Sequence, residues 1–383
     1  MGKRELLLII AFAVVGTVVY QITAPPPGPN ERSLSISRIL DAIRREVRGN
    51  RARAEATTTT SHAIDASTSE MFMRGLGDVQ IAGEDRADIE TTVRVVSNGY
   101  DEAEAKKLAG ESVLLVDRAA GTVSFRMSYP SGGRQTATIV MKVPSRLRVR
   151  AEGTSRLGIG SVAAVELPGA RNETTIRQVA GRVVVTHRAG RLTIEDVASL
   201  KLSARGDEVT LKRVRGDATI SLLNAELTAS ALGGPVDIDA QSSEVTFEDG
   251  PGTRGPIRMN ASAGAIVVKG LRTDTRIDGR NTPIEVEMAA AAPVAIYNEG
   301  DELIELTPPP SGFRLDALAI DGRITPEAEL RRLGIAIEAA ADHREQRAVG
   351  EVKGGGPSVT LRANRGSISI GGRGAPKDEK VER

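Results

Sequence analysis

From Gly181 to Leu306 apolar and polar residues alternate in short bursts that recur about every nine residues. The unit reads G-x-φ-x-φ-x-x-φ-x, where φ is apolar. Its φ-x-φ core stands at Val183/Val185, Leu192/Ile194, Leu200/Leu202, Val209/Leu211, Ala218/Ile220, Leu227/Ala229, Val236/Ile238 and Val245/Phe247, and continues at Ile257/Met259, Ile266/Val268, Ile284/Val286 and Val294/Ile296. Self-similarity at a fixed period marks a stack of small units, none of which buries its apolar face alone. Alternation broken by Gly, Asn or Asp predicts one short strand per unit. The expected fold is therefore all-β: a β-solenoid, parallel β-helix-like, built of nine-residue sub-repeats. Such a piece holds only a strand and a turn, so a full coil should use two or three of them. Gly181, Gly190, Gly206, Gly216, Gly234, Gly255 and Gly264 fall at the corners, where tight turns often require positive φ. Val197, Val214, Leu223, Leu232 and Leu271 are expected to plug those corners from inside.

The pattern changes on both sides of this region. Leu6–Ala24 is a continuous apolar run after Lys3 and Arg4, long enough to cross a bilayer core as a helix. Leu6, Ile9, Phe12, Val15 and Val19 would face lipid. A secretory signal is the competing reading. Its apolar core would be shorter, and Ile22-Thr23-Ala24 followed by Pro25-Pro26-Pro27 makes a poor cleavage site. The preferred reading is an uncleaved anchor, N-terminus inside by its flanking positive charge, with the bulk of the chain on the periplasmic or extracellular side of a bacterial membrane. After the Pro25–Asn30 spacer, Ile36, Ile39, Leu40, Ile43 and Val47 recur at helical spacing, so Ser33–Arg48 is expected to be an amphipathic helix with a basic face. Asn50–Ser69 reads as linker. From Met71 to Val143 strand-like segments surround a short helix at Asp101–Leu108, acidic at its start and basic near its end as the helix dipole favours. Beyond Pro308-Pro309-Pro310 the rhythm weakens. A short helix is expected at Pro326–Leu333, a loop over Ala340–Gly356, a last pair of strands over Pro357–Ile370, and a charged tail after that. The organisation is thus 1–24 anchor, 25–70 spacer, helix and linker, 71–143 leading and capping β module, 144–370 solenoid, 371–383 tail.

Composition narrows the function. Aromatics are 2% of the 383 residues and Trp is absent, which suits a narrow interior of small aliphatic side chains. A net charge of +1 gives no footprint for nucleic acid. With no cysteine there is no disulfide, zinc ribbon or thiol nucleophile. His62, His187 and His343 have no second ligand at metal-binding spacing. There is no nucleophile elbow, phosphate loop or zinc-protease motif, and Gly75-Leu76-Gly77 lacks the third glycine of a dinucleotide fingerprint.

The segments GDVQIAG, DEAEAKKL, KVPSRLRVR, the GRVVVTHRAGRLTIEDV-type repeats and GGGPSVTLRANRGSISI, in this order, resemble the bacterial "putative adhesin" domain family over about Met71–Ile370. That resemblance implies a β-solenoid attached to an envelope anchor. It brings no established active-site residues.

Three features could carry chemistry. Asp237 and Asp239 flank inward Ile238 and point outward together, as do Glu244, Thr246 and Glu248 nearby; paired carboxylates are the equipment of glycoside hydrolysis, and also the ordinary outer face of a one-sided sheet. Thr193, Thr210, Thr219, Thr228 and Thr246 form outward rows. The insertion Asp249–Pro256 breaks the period, and one-sided insertions in solenoids often carry binding, so Asp249, Thr253 and Arg254 are the candidate contact residues. The expected function is non-enzymatic: an adhesin-like or scaffolding protein, without cofactor or metal, held to membrane lipid by its N-terminal helix and binding an envelope protein or polymer. Alternatives are a membrane-tethered stress sensor and a polysaccharide-active enzyme.

Overall fold

The computed structural model describes residues 52–131, 134–340 and 344–371, together with Gly16. The expected anchor with Leu6, Ile9, Phe12, Val15 and Val19, the helix at Ser33–Arg48, His343 and the tail after Gly371 lie outside these residues. Among the described residues no helix is long and apolar enough to cross a membrane. The described chain is all-β, with two short helices.

It forms two compact units. The first comprises the described residues up to Thr57, Arg94–Val113 and Ser128–Thr136. Its helix, Glu102–Gly110, lies where the acidic-to-basic pattern places it. Asp101 Oδ1 accepts the Glu104 amide at 2.8 Å and so caps the first turn, while Glu104 Oε2 accepts the amide of Tyr100, just ahead of the helix, at 2.6 Å. Ala105, Leu108 and Ala109 are its buried face.

The second unit holds the repeats, and its register fixes the coil. Leu200 pairs in parallel with Ala218 and Ala218 with Val236; Val209 pairs with Leu227 and Leu227 with Val245. One coil is thus two nine-residue units, each adding a strand to one of two parallel ladders. The front ladder contains Ala218–Leu223, Val236–Gln241, Ile257–Ser262, Thr275–Arg280 and Val294–Glu299; the back ladder contains Glu226–Leu232, Glu244–Glu248, Ala265–Leu271, Ile284–Met288 and Ile304–Thr307. All twelve φ-x-φ pairs are buried, so the inward rows of both ladders make the core. Val197, Val214, Leu232 and Leu271 are buried as expected, but Leu223 is not: it stands in an outward row, paired with Gln241.

The corners follow a rule different from the one expected of their glycines. One column of corner residues has left-handed backbone: Asn172, Ala189, Gly206, Asn224, Ser242, Ala263 and Asn281, with φ between 47° and 66°. A second column does the same at Gln178, Asp196, Arg213 and Ala231. Of the seven corner glycines named from the sequence, only Gly206 has positive φ. Gly190 and Gly264 directly follow the bent residue and are required for another reason. A Cβ at Gly190 would sit 1.9 Å from the Asn172 carbonyl oxygen, and one at Gly264 2.0 Å from that of Ser243. The backbones of successive coils meet there, and no side chain fits between them.

At both ends the chain doubles back. Val294–Glu299 pairs with Ser358–Asn364 rather than with Phe313–Ile320, the next front strand in sequence; Ser358–Asn364 lies between the two. At the other end Glu70–Arg74 lies between Thr122–Ser128 and Arg148–Glu152, and Asp78–Glu84 pairs with both Arg134–Pro144 and Arg156–Gly160. The outermost coils in sequence are therefore held on both edges, which opposes the fraying that free ends invite. The expected loop Ala340–Gly356 contains a strand, Glu345–Val352, antiparallel to Phe313–Ile320 and partly covered by Ile337–Ala339. It ends the parallel ladder and covers an edge that would otherwise be open to pairing. The expected linker at Asn50–Ser69 is likewise a strand over Ala52–Ala63, where a threonine run suits an exposed extended chain. Within the second unit Thr59 hydrogen-bonds Thr92 at 3.1 Å and Ser61 donates to Asp88.

The corner geometry sets opposite outcomes for two adjacent residues. Ala263→Gly removes a left-handed alanine and should stabilise by about 1 kcal/mol. Gly264→Ala forces two coils apart and should destabilise by about 1–3 kcal/mol. Urea denaturation of the two variants checks both signs; equal effects would contradict this account of the corners.

Candidate functional site

The outward rows of the front ladder enclose a groove. In-register pairing aligns Ser203, Ser221, Asp239, Asn260, Asp278, Tyr297, Arg362 and Leu318 as one row. Two residues further along each strand, Arg205, Leu223, Gln241, Ser262, Arg280, Glu299, Asn364 and Ile320 form the other. Between them the inward position is held mostly by small residues, Ala204, Ala240, Ala261, Gly279, Ala363 and Ala319, with the larger Leu222 and Asn298 at two of the eight strands. The two outward rows rise as walls on either side of that line. The main part of the groove, from Asp239 to Ile320, has a volume of about 520 Å³. A second part of about 310 Å³ shares Asp239 and Gln241 with it and runs on to Thr186, Arg188 and Arg205. At about 4.8 Å per strand, the row from Ser203 to Leu318 spans roughly 33 Å.

Most charges along the main part are neutralised locally. Arg276 grips Asp278 with two hydrogen bonds, 2.7 and 2.9 Å, and its guanidinium lies 4.9 Å from the Tyr297 ring centre. That hydrogen-bonded pair also raises the Arg276 pKa. Arg280 meets Glu299 at 3.2 Å, and Arg362 meets the Asp316 carboxylate at 2.6 Å and its carbonyl at 2.8 Å. No side-chain partner occurs among the described residues for Asp239, Gln241 or Asn260, all three exposed. The far end is apolar: Ile320 is 39% and Tyr297 36% exposed, beside half-buried Leu318.

The residues singled out from the sequence are dispersed relative to this groove. Asp239 is in it; Asp237 is exposed but lies in the next row, paired with Thr219 and Arg258. The two carboxylates are therefore not brought together across a cleft. Thr210, Thr228 and Thr246 stack in register on the back ladder beside the glutamate row Glu208, Glu226 and Glu244. Asp249 is not a surface contact residue. It is 4% exposed, because its carboxylate is turned in to accept the Arg272 amide at 2.7 Å and the Thr273 hydroxyl at 2.9 Å, tying the insertion to the next corner. Thr253 is half-buried, and Arg254 is the exposed member of the three. The insertion lengthens one coil to 21 residues, Val236 pairing with Ile257.

His187 is wholly buried. Its Nδ1 lies 2.9 Å from Asp207 Oδ1, and the same carboxylate accepts the amides of Gly190 and Arg205 at 2.9 and 2.7 Å. This is corner scaffolding beneath the groove. Among the described residues no cluster of three or more His, Asp or Glu is placed to hold a metal ion.

Asn260, Gln241, Tyr297 and Arg362 were not legible as a set, because their alignment depends on a register between strands up to 65 residues apart. The available signal was a small inward residue at Ala204, two coils on at Ala240 and one more coil on at Ala261.

No family model and no curated protein matches the chain. Solved structures do. A protein of Parabacteroides merdae described as a putative adhesin is 10% identical, covering 82% of this chain and 95% of its own, with a TM-score of 0.33. A putative cell adhesion protein of Clostridium sporogenes is 8% identical over 83% of this chain and 99% of its own, TM-score 0.19. A putative lipid binding protein of Parabacteroides distasonis is 12% identical over 67% and 98%, TM-score 0.33. The first of these descriptions carries the name of the family that the sequence resembles.

The apolar end of the groove is pinned by a titratable pair. The Arg362 hydrogen bond holds the Asp316 carboxyl below its ordinary value of 3.8, with Arg347 adding to the effect and burial opposing it. A depressed folded pKa means that the pair stabilises the fold above the ordinary value and ceases to as pH falls through the lower folded one. The stability difference between the parent chain and Asp316→Asn should be constant above about pH 5 and shrink below it. Thermal unfolding across pH 2–7 measures it; a difference that grows in acid would contradict the pairing.

Proposed function

We propose that this chain is a non-catalytic, adhesin-like binding protein whose stacked coils form a β-solenoid and whose front ladder receives an extended partner. The continuous groove carries this reading: walls of outward side chains in register across many coils, with unpaired polar groups at its centre. An extended ligand matches it, because each coil offers the same two positions and affinity accumulates along the row. The polysaccharide-active alternative finds less support, since Asp237 and Asp239 do not face each other across the groove and Asp278 is bound to Arg276. In this reading the apolar run Leu6–Ala24 tethers the chain to a bacterial membrane and the coils lie on its periplasmic or extracellular side, where an envelope protein or polymer is the partner.

Co-sedimentation of the full chain with insoluble bacterial envelope material tests the proposal. Asp239→Ala/Gln241→Ala/Asn260→Ala should weaken capture at least tenfold. Thr210→Ala/Thr228→Ala/Thr246→Ala, on the back ladder, should leave it unchanged. Equal capture by both triple variants and the parent chain would refute the groove as the binding surface.

A further inference from the structure

The chemistry of the groove narrows its occupant. Backbone amides and carbonyls of the front ladder are engaged strand to strand, so an extended peptide laid across this face finds no free edge to pair with. Recognition must run through side chains. The central free groups, Asp239, Gln241 and Asn260, offer carboxylate and amide oxygens as acceptors and amide N–H groups as donors. This set serves hydroxyl groups, each of which donates and accepts. A polyanion meets the unpaired Asp239 carboxylate at the centre, and a polycation finds the other acids there already occupied by Arg276 and Arg280. One strand interval is also close to the rise of one sugar ring in an extended glycan. Tyr297, one of nine aromatic residues in the chain, stands 36% exposed in the same row, an apolar ring beside the hydrogen-bonding groups.

We infer that the groove binds a linear, largely uncharged glycan, with Asp239 and Asn260 taking hydroxyl groups of neighbouring sugars and Tyr297 packing against a ring face. This rests on the binding function proposed above and names its ligand class. Binding is non-covalent and involves no bond cleavage.

The test divides the envelope material into three portions: untreated, oxidised with periodate to cleave vicinal diols, and digested with a broad protease. The inference expects capture of the full chain to fall at least tenfold after periodate and to survive protease. Tyr297→Ala should weaken capture several-fold, and Tyr297→Phe should retain most of it. Capture that survives periodate and is lost with protease, while still depending on Asp239, Gln241 and Asn260, would overturn the glycan and leave the groove reading standing. Capture that ignores the groove variants, or no capture by the parent chain, would overturn both.

Discussion

Everything in the second unit depends on one constraint: successive coils must stack in register so that each residue lies over its counterpart one coil back. Parallel pairing repeats the same environment down each column. Inward columns are apolar because they share one interior, corner columns are left-handed because they share one bend, and outward columns become continuous walls. A departure in one coil is therefore felt by its neighbours. The glycines that meet the backbone of the preceding coil show how closely the stack is drawn: at Gly190 and Gly264 even a methyl group has no room. Buried polar groups serve the same end, with Asp207 and Asp249 supplying acceptors to amides that the corners leave unpaired.

The inward rows were legible in the sequence at all twelve φ-x-φ pairs, since period-two alternation reports burial directly, but not on the strand Thr275–Arg280, where buried Thr275 beside Ile277 breaks the apolar pattern. Coil length was not, because a nine-residue period is compatible with two or three strands per turn and only pairing decides. The corner glycines were located correctly but, apart from Gly206, explained wrongly. Sequence shows that a side chain is missing but not whether backbone angle or a neighbouring coil excludes it. Leu223 is apolar yet outward, which periodicity alone could not reveal. The Ala52–Ala63 strand is polar on most positions and carries little alternation, and so reads as linker. Chain reversal at both ends was invisible, because strands paired across more than 60 residues leave no local mark. The groove belongs to this last class. Asp239 was singled out for a partnership with Asp237, whereas its neighbours in space come from the adjoining coils.

The two ladders carry different surfaces. Over three strands of the back ladder threonine and glutamate stack on their own kind, before Ala265 and Val267 follow at the next. Along the front ladder the chemistry changes from coil to coil: arginines at one end, hydroxyl, carboxylate and amide groups in the middle, and a tyrosine with aliphatic neighbours at the other. A repeating backbone with a non-repeating outward row is a frame for specificity. The groove is lined by strand residues in register, so its geometry is set by sheet pairing.

The central claim is that strands distant in sequence stand in this order along one rigid front ladder. The chain lacks cysteine, so Ser203→Cys and Leu318→Cys provide a unique pair of spin-label sites seven strands apart. Pulsed electron–electron double resonance should give a narrow distribution centred near roughly 33 Å, the sum of the strand spacings. A broad distribution, or a centre displaced by more than two strand intervals, would contradict the register on which the groove is built.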